Sequence, residues 1–476
     1  METEMMRPLL LLPEMLLAGG ALAALIGGSF VPRHRQRIIR IFTAIVLVAA
    51  IVAAAIQLRS PATSAFDDSF AVDTATGIAR ILAASGTLLI LAIAADEISA
   101  SPRESETYAL LLFSTAGTVL LAGANDLLAL AVGFLLASIP LYALIGLAHT
   151  RAGAEAAMKT YLMGALFGIL LLLGVTILSG LTGATGYADI ADRLADAPQA
   201  AVTVAAVAVI AGLMFKAGGV PAHFWVPDAA QASTATAATF LTTVPKIGAL
   251  LAVYRLTTVL PPSSWPPLVA ALAVASMTLG NLAAYWQSDP RRLLGWSTVS
   301  QVGFLLVPIV AAGRSDLALP SLLVYLTGYT ATNIAAFAVS AALPEHRDLT
   351  DYRGLAAQRP WLAAALLVAL LGLVGTPPTA VFIGKLTTAT AAWSGGYAWL
   401  AVAVFINTLI SLFYYLRWIV PAYLGGNKTP THTAAPAALV DKTTRRWTVR
   451  IAVAAATLSV AIGVAAGSLW AVASAP

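Results

Sequence analysis

Three lysines, Lys216, Lys246 and Lys385, lie within stretches of sequence that are otherwise apolar enough to cross a bilayer. A charged side chain at the centre of a membrane helix costs roughly 2.5 to 3.5 kcal/mol, and ionisable groups at that depth usually mark an ion or proton route. Burial disfavours the charged form of an amine, so nearby charge or water could load and unload its proton. We therefore predict that these lysines carry protons. The alternative is that each side chain extends to the interface and keeps its charge in water, as Lys216 near the end of its stretch could do.

A fourth candidate, His223, lies between the first two lysines in Pro221-Ala222-His223-Phe224-Trp225. Imidazole titrates near neutral pH and could relay protons. A histidine beside two aromatic residues could equally be an interfacial packing residue. The sequence has no cysteine, which excludes disulfides, thiolate-bound iron–sulfur clusters and cysteine zinc sites in this chain. It also has no phosphate loop, metal-ligand motif or nucleophile–base motif, so we expect no redox chemistry and no cofactor in this chain.

Composition predicts the element type that positions these residues. Of 476 residues, 59% are hydrophobic and 10% are charged, and the mean hydropathy is +0.86. Apolar runs of about 20 residues are long enough to span the hydrocarbon core, and such runs form helices because lipid cannot hydrogen-bond to the backbone. We predict an all-α polytopic protein with fourteen spans and no soluble lobe. The spans are 9–30, 38–58, 76–95, 106–123, 127–148, 157–181, 202–220, 236–259, 267–287, 293–312, 318–342, 361–390 (interrupted), 397–423 and 449–472.

The net charge of +5 is better explained by membrane orientation than by nucleic acid, because no basic run alternates with aromatic residues. Cytoplasmic loops of membrane proteins are enriched in Lys and Arg. One set of alternate loops holds seventeen of these residues: Arg33, Arg35, Arg37, Arg40, Arg103, Arg151, Lys159, Arg291, Arg292, Arg347, Arg353, Arg359, Lys428, Lys442, Arg445, Arg446 and Arg450. The other set, with the amino terminus, holds four: Arg7, Arg59, Arg193 and Arg314. Both termini are therefore predicted to face away from the cytoplasm, in a chain of the cell inner (plasma) membrane.

Two spans contain helix-breaking residues. The seventh ends in Lys216-Ala217-Gly218-Gly219-Val220-Pro221, and the twelfth is interrupted at Val374-Gly375-Thr376-Pro377-Pro378. Proline removes a backbone donor and clashes with the preceding turn, so both helices are predicted to be broken. Paired interrupted helices in the two halves of a transporter indicate inverted repeats with a site near the midplane.

Seven stretches of the sequence form a recognisable pattern, and the longest, from Lys216 to Leu256, is KAGGVPAHFWVPDAAQASTATAATFLTTVPKIGALLAVYRL. This stretch and those that follow resemble the antiporter-like membrane subunits of respiratory complex I, and most closely its subunit N. The others are YALLLFSTAGTVLLAGANDLL (Tyr108 to Leu128), SIPLYAL (Ser138 to Leu144), EAAMKTYLMGAL (Glu155 to Leu166), RRLLGWSTVSQVGF (Arg291 to Phe304), GTPPTAVFIGK (Gly375 to Lys385) and LFYYLRW (Leu412 to Trp418). Part of this pattern is also similar to sodium/proton antiporter and hydrogenase subunits.

The resemblance implies the following arrangement: helices 1–3 in residues 1–105, a first five-helix repeat in 106–260, an inverted second repeat in 261–425, and a cytoplasmic loop with helix 14 in 426–476. It implies a mid-membrane proton axis of Lys216, Lys246 and Lys385. The chain would act as a translocase subunit of an NADH:quinone oxidoreductase beside other membrane subunits. NADH, FMN, iron–sulfur clusters and quinone would belong to those partner subunits.

The sequence departs from the family pattern at five positions. Leu135 replaces a buried glutamate that normally pairs with the lysine of the seventh span; Gln231, Thr234 and Thr236 replace a glutamate and two prolines, and Gln301 replaces a histidine. Two alternatives stay open: a cation/proton antiporter or hydrogenase module that uses the same fold, and a structural subunit that does not pump, which the loss of the glutamate at Leu135 supports.

Five other polar residues in or near the spans are predicted to have structural roles. Asn125-Asp126 reads as a solvated turn or a helix cap. Glu14 is expected to pair with a neighbouring helix or subunit, and Arg80 and Arg255 are expected to be interface anchors rather than pathway residues.

Overall fold

The computed structural model describes residues 7–99, 101–263, 265–424 and 445–475. In these ranges thirteen helices are long and apolar enough to cross a membrane, and Pro360–Val374 is a shorter apolar helix. With that shorter helix counted as part of a broken span, the fourteen predicted spans are all present. The prediction of an all-α polytopic membrane protein is therefore confirmed. Most of the predicted cytoplasmic loop after residue 425 lies outside the described residues.

The helices follow one another with short connections. Those before the first break are α1 Leu12–Phe30, α2 Arg37–Gln57, α3 Thr74–Glu97, α4 Glu104–Gly123, α5 Leu127–Gly146, α6 Arg151–Thr182 and the short α7 Tyr187–Arg193. The central group is α8 Gln199–Ala217, α9 Trp225–Ala232, α10 Ala235–Val259, α11 Pro266–Ala284, α12 Pro290–Val310 and α13 Ala318–Ala342. The last group is α14 Leu355–Gln358, α15 Pro360–Val374, α16 Ala380–Ser394, α17 Ala398–Tyr423, α18 Arg446–Val464 and α19 Ala466–Ala473. A two-stranded antiparallel hairpin, β1 Thr63–Ala65 and β2 Phe70–Val72, joins α2 to α3 and was not predicted.

Several helices begin at a polar cap. Asp126 accepts hydrogen bonds from the N–H groups of the first turn of α5, which confirms its interpretation as a helix cap. Asp73, Thr150 and Thr234 cap α3, α6 and α10 in the same way. Such caps satisfy backbone donors that have no partner inside the helix, so these residues fix where each helix starts.

Both predicted helix breaks are present and share one local geometry. Helix α8 ends at Gly218 (φ +82°), and the N–H groups of Gly218 and Gly219 both donate to the carbonyl of Met214. Helix α15 ends at Gly375 (φ +92°), where two successive N–H groups likewise donate to the carbonyl of Leu371. A left-handed residue that closes a helix with such bonds is usually glycine because a Cβ is disfavoured there.

The breaks lie beside the interior of the bundle. The apolar segments of helices α10 and α13 are completely buried, and the two helices contact each other. Helix α10 also packs on α8, and α13 packs on α15 and α16. In the described part of the chain, the two helices whose apolar segments are completely buried therefore each contact one of the broken helices.

Loops that the charge count assigned to one side meet at one end of the bundle. A cavity of about 120 Å³ there is lined by Glu97, Asp289, Arg291, Arg347 and Arg445, which belong to four different chain segments. The three arginines all come from the set of seventeen. Loops that the alternation of spans predicts on one side of the membrane therefore lie together at one end of the bundle. Which side of the membrane this end faces remains a prediction.

Candidate functional site

Lys246 lies in α10 with no exposed surface. Its Nζ atom has no hydrogen-bond partner among the described protein groups and lies 5.0 Å from the ring centroid of Trp225, a distance at which a cation is attracted to the ring face. A Cβ on Gly218 would come within 2.8 Å of this Nζ, so the first helix break supplies the room that the amine occupies. The side chain ends inside the bundle and does not extend to an interface.

Lys216, in the last turn of α8, is 1% exposed. Its Nζ donates to the carbonyl of Ala137 at 2.5 Å and lies 3.3 Å from Ser138 Oγ, both on α5. Leu135, at which the resemblance implied a glutamate, is 43% exposed. Neutral oxygens therefore surround this amine, and none of the ion pairs in the described ranges includes it.

Lys385 lies in α16 and is 4% exposed. Its Nζ donates to the carbonyls of Val374 at 2.8 Å and Leu373 at 3.2 Å, and it lies 3.9 Å from the ring centroid of Phe304. The two carbonyls end the half-helix α15, where unpaired backbone oxygens carry partial negative charge. The second break thus provides a site that stabilises a positive charge without a carboxylate.

A row of buried polar groups connects the surroundings of Lys385 with those of Lys246. Gln301 Nε2 donates to the carbonyl of Leu373 at 2.9 Å, and Gln301 Oε1 accepts from the hydroxyl of Tyr325 at 2.7 Å. The hydroxyl of Tyr329 donates to the carbonyl of Thr242 at 2.6 Å, one helical turn before Lys246. Since Tyr325 and Tyr329 are four residues apart in α13, they lie on the same face of that helix.

The polar residues of α13 were missed by the sequence analysis. Asn333 extends the row, because its Nδ2 donates to Thr243 Oγ1 at 2.8 Å. Tyr325, Tyr329 and Asn333 recur every four residues in a helix that is buried on all sides. Polar side chains at helical spacing inside a predicted membrane span were the signal that could have found them.

His223 is buried, as a relay residue or a packing residue would be. Its ring centroid lies 4.1 Å from that of Phe224 and 5.5 Å from that of Trp296. Among the described residues neither ring nitrogen hydrogen-bonds to a side chain. These contacts resemble those of the packing alternative, and the proton-relay role of His223 remains a prediction.

The remaining charged candidates form ion pairs at helix ends. Glu14 pairs with Arg80 of α3 through two contacts of 2.8 Å, as expected for a partner on a neighbouring helix. Arg255 pairs with Asp73 at 2.8 Å and also donates to the carbonyl of Ala122 at 2.7 Å. Both arginines are thus anchored to the ends of other helices.

The residues near α10 that depart from the family pattern form hydrogen bonds or cap the helix. Gln231 accepts from Arg292 at 3.1 Å, and Thr234 caps α10. Thr236 donates to Glu97 at 2.6 Å, and the same carboxylate accepts two N–H groups of the first turn of α10. An acidic group from α3 therefore holds the start of α10, the helix that carries Lys246.

The chain is similar to known membrane proteins over most of its length. Residues 124–411 match the family described as NADH:quinone oxidoreductase/Mrp antiporter, TM. An NADH-quinone oxidoreductase subunit N from Mycobacterium sp. (strain JLS) is 66% identical over 468 residues, which is 98% of each chain. In the structure of respiratory complex I from Thermus thermophilus with bound aureothin, a chain with 28% identity superposes with a TM-score of 0.82, covering 98% of this chain and 100% of that one.

A chain in the Mrp complex from Dietzia sp. DQ12-45-1b shares the fold alone, with 22% identity, a TM-score of 0.83, and 97% and 96% coverage of the two chains. The buried lysines beside two broken helices thus occur in a sequence that matches its relatives over nearly its whole length. The chain belongs to the NADH:quinone oxidoreductase/Mrp antiporter family of membrane subunits.

Proposed function

We propose that this chain is a proton-translocating membrane-arm subunit of an NADH:quinone oxidoreductase. The observation that carries the proposal is the burial of three amines in one bundle, two of them in contact with the helix breaks. An amine held in hydrocarbon is costly, and a carrier of charge is the function that best accounts for that cost. The redox steps, with NADH, FMN, iron–sulfur clusters and quinone, would take place in partner subunits.

The two halves of the bundle offer different stabilisation to a proton. Lys385 donates to carbonyls at the end of a half-helix, so its ammonium form is held by fixed dipoles. Among the described groups, the Nζ of Lys246 has no hydrogen-bond partner and lies 5.0 Å from the ring centroid of Trp225. A proton on Lys246 is therefore held less firmly and would pass through water and the hydroxyls of Tyr329 and Tyr325 toward Lys385.

The proposal includes two inverted repeats, residues 106–260 and 261–425. In support, the first helix of each set packs on the second and the fifth, and the broken helix packs on the third and the fifth. Since each set contains five spans, the second would begin on the opposite side of the membrane from the first. The excess of Lys and Arg in one set of loops supports outward-facing termini in the plasma membrane.

The test is proton stoichiometry in the assembled complex. Lys246→Ala and Lys385→Ala should each lower the number of protons pumped per NADH oxidised by reconstituted complex. Lys159→Ala is the matched control, because Lys159 is exposed and paired with Glu155 and Asp228. Unchanged stoichiometry in both buried-lysine variants, with normal assembly, would instead identify a structural subunit, an alternative favoured by the neutral surroundings of Lys216.

A further inference from the structure

Two surface grooves flank the first turns of α18, at the bundle end that carries most of the arginines. One, of about 410 Å³, is bordered by Arg359, Arg446 and Arg450, with walls that include Trp361 and Val449. The other, of about 430 Å³, is bordered by Arg37 and Arg40, with walls of aliphatic residues from α2 and α3 and the ring of Trp447. We call these two surfaces the α18 grooves.

The α18 grooves combine a basic edge with an apolar wall. None of the described residues that line them is acidic, and the carboxylate of Glu104, outside the second groove, lies 3.9 Å from Arg40. Trp361 is 75% exposed and Trp447 is 51% exposed, as is typical of tryptophans at the level of lipid headgroups. The guanidinium of Arg450 lies 5.2 Å from the ring centroid of Trp447, so one arginine stands between the two grooves. The chemistry that fits is an anion attached to a hydrocarbon chain.

We propose that the α18 grooves bind an anionic phospholipid, with its phosphate on the arginines and its acyl chains along the apolar walls. Guanidinium groups match the geometry of phosphate oxygens and bind them through paired hydrogen bonds. Basic pockets between membrane helices are sites at which anionic headgroups are recognised. A zwitterionic lipid would bring a cation against the arginines, and a free phosphate would leave the apolar walls uncovered.

The opposite end of the bundle supplies a matched arginine. Arg314 is exposed and lies 5.2 Å from the ring centroid of Tyr397, the same stacking distance as Arg450 on Trp447. Arg314 borders neither of the two grooves. Its replacement therefore removes one stacked surface charge while leaving the proposed lipid site intact.

The experiment measures lipid bound to the purified full-length chain by native mass spectrometry, with dioleoyl phosphatidylglycerol and dioleoyl phosphatidylcholine added in turn. Each basic residue near a membrane surface contributes about fivefold to the binding of acidic lipid. Arg359→Gln and Arg450→Gln should each weaken phosphatidylglycerol binding about fivefold, while Arg314→Gln should leave it unchanged. Arg450→Lys, which keeps the charge, should recover part of the loss.

Three results would overturn the proposal. The first is equal binding of the two lipids to the unaltered chain, and the second is displacement of phosphatidylglycerol by millimolar inorganic phosphate. The third comes from the assembled complex isolated from membranes: equal phosphatidylglycerol content with and without the Arg359→Gln and Arg450→Gln changes would show that protein covers the grooves. Thermal unfolding of each variant identifies any loss of lipid binding that comes from misfolding. A phosphatidylglycerol with a photoactivatable acyl chain should label Trp361 and Val449 of the unaltered protein, a result that does not depend on any substitution.

Discussion

The contact between α18 and the second helix break allows a sharp test of how the site is held. A Cβ added at Gly463 would lie 2.0 Å from the carbonyl oxygen of Pro378 and 2.8 Å from the backbone nitrogen of Ala380. Ordinary contact begins at 3.4 Å, so Gly463→Ala requires a separation of about 1.4 Å. The obstructing atoms are backbone, which no side-chain rotation can remove.

The expected cost follows from two opposing effects. Overpacking of a well-packed contact costs about 1 to 3 kcal/mol. Replacing glycine by alanine in a helix returns up to about 1 kcal/mol of propensity. Gly463→Ala should therefore lower the free energy of unfolding by up to about 3 kcal/mol. It should also shift the segment that precedes Lys385, and so reduce proton stoichiometry.

Gly180→Ala is the matched control, since Gly180 is in the last turn of α6 and a Cβ there would meet nothing within 4 Å. The assay compares the thermal unfolding of the full-length chain in detergent with protons pumped per NADH in the reconstituted complex. Gly180→Ala should leave both unchanged or slightly raise stability. If Gly463→Ala behaved like the control in both measurements, α18 would not hold the second break as described.

Three further predictions concern buried polar contacts. Gln301→Leu leaves a buried tyrosine hydroxyl without its acceptor and should lower the free energy of unfolding by about 1 to 3 kcal/mol, whereas Gln301→His should lower it less, as denaturation in detergent would show. Arg80→Met leaves the buried carboxylate of Glu14 without its partner and should cost about 3 to 5 kcal/mol, with recovery when Glu14→Gln is added; an absence of recovery would refute the pairing. Burial acts to raise the pKa of Asp73, but the charge and hydrogen bond of Arg255 together with the hydrogen bonds from Thr76 outweigh it and leave this pKa below its usual value. The resulting stability is present above the unfolded pKa of about 3.9 and is lost as pH falls through the lower folded value, so Asp73→Asn should remove that acid-dependent drop in the unfolding temperature.

The sequence by itself was sufficient for the spans and the two breaks, and it favoured buried lysines over lysines that extend to the interface. Hydrocarbon imposes helices on long apolar runs, and a proline with adjacent glycine disrupts a helix through local sterics. These rules act over a few residues, so Gly218 and Gly375 could be assigned from their neighbours. The β1–β2 hairpin was not predicted because strands of three residues are too short to show an alternation of apolar and polar residues.

Only the tertiary structure decided which groups surround each amine. Lys216 bonds to Ala137, 79 positions away, and Gln301 reaches Leu373 across 72 positions. Hydropathy shows that a helix lies in the membrane, but it does not show which helices are its neighbours, because the helices are similarly apolar. Close packing and hydrogen bonds between helices determine the neighbours. For the same reason the outward direction of Leu135 and the polar stripe of α13 became visible only when the helices were assembled.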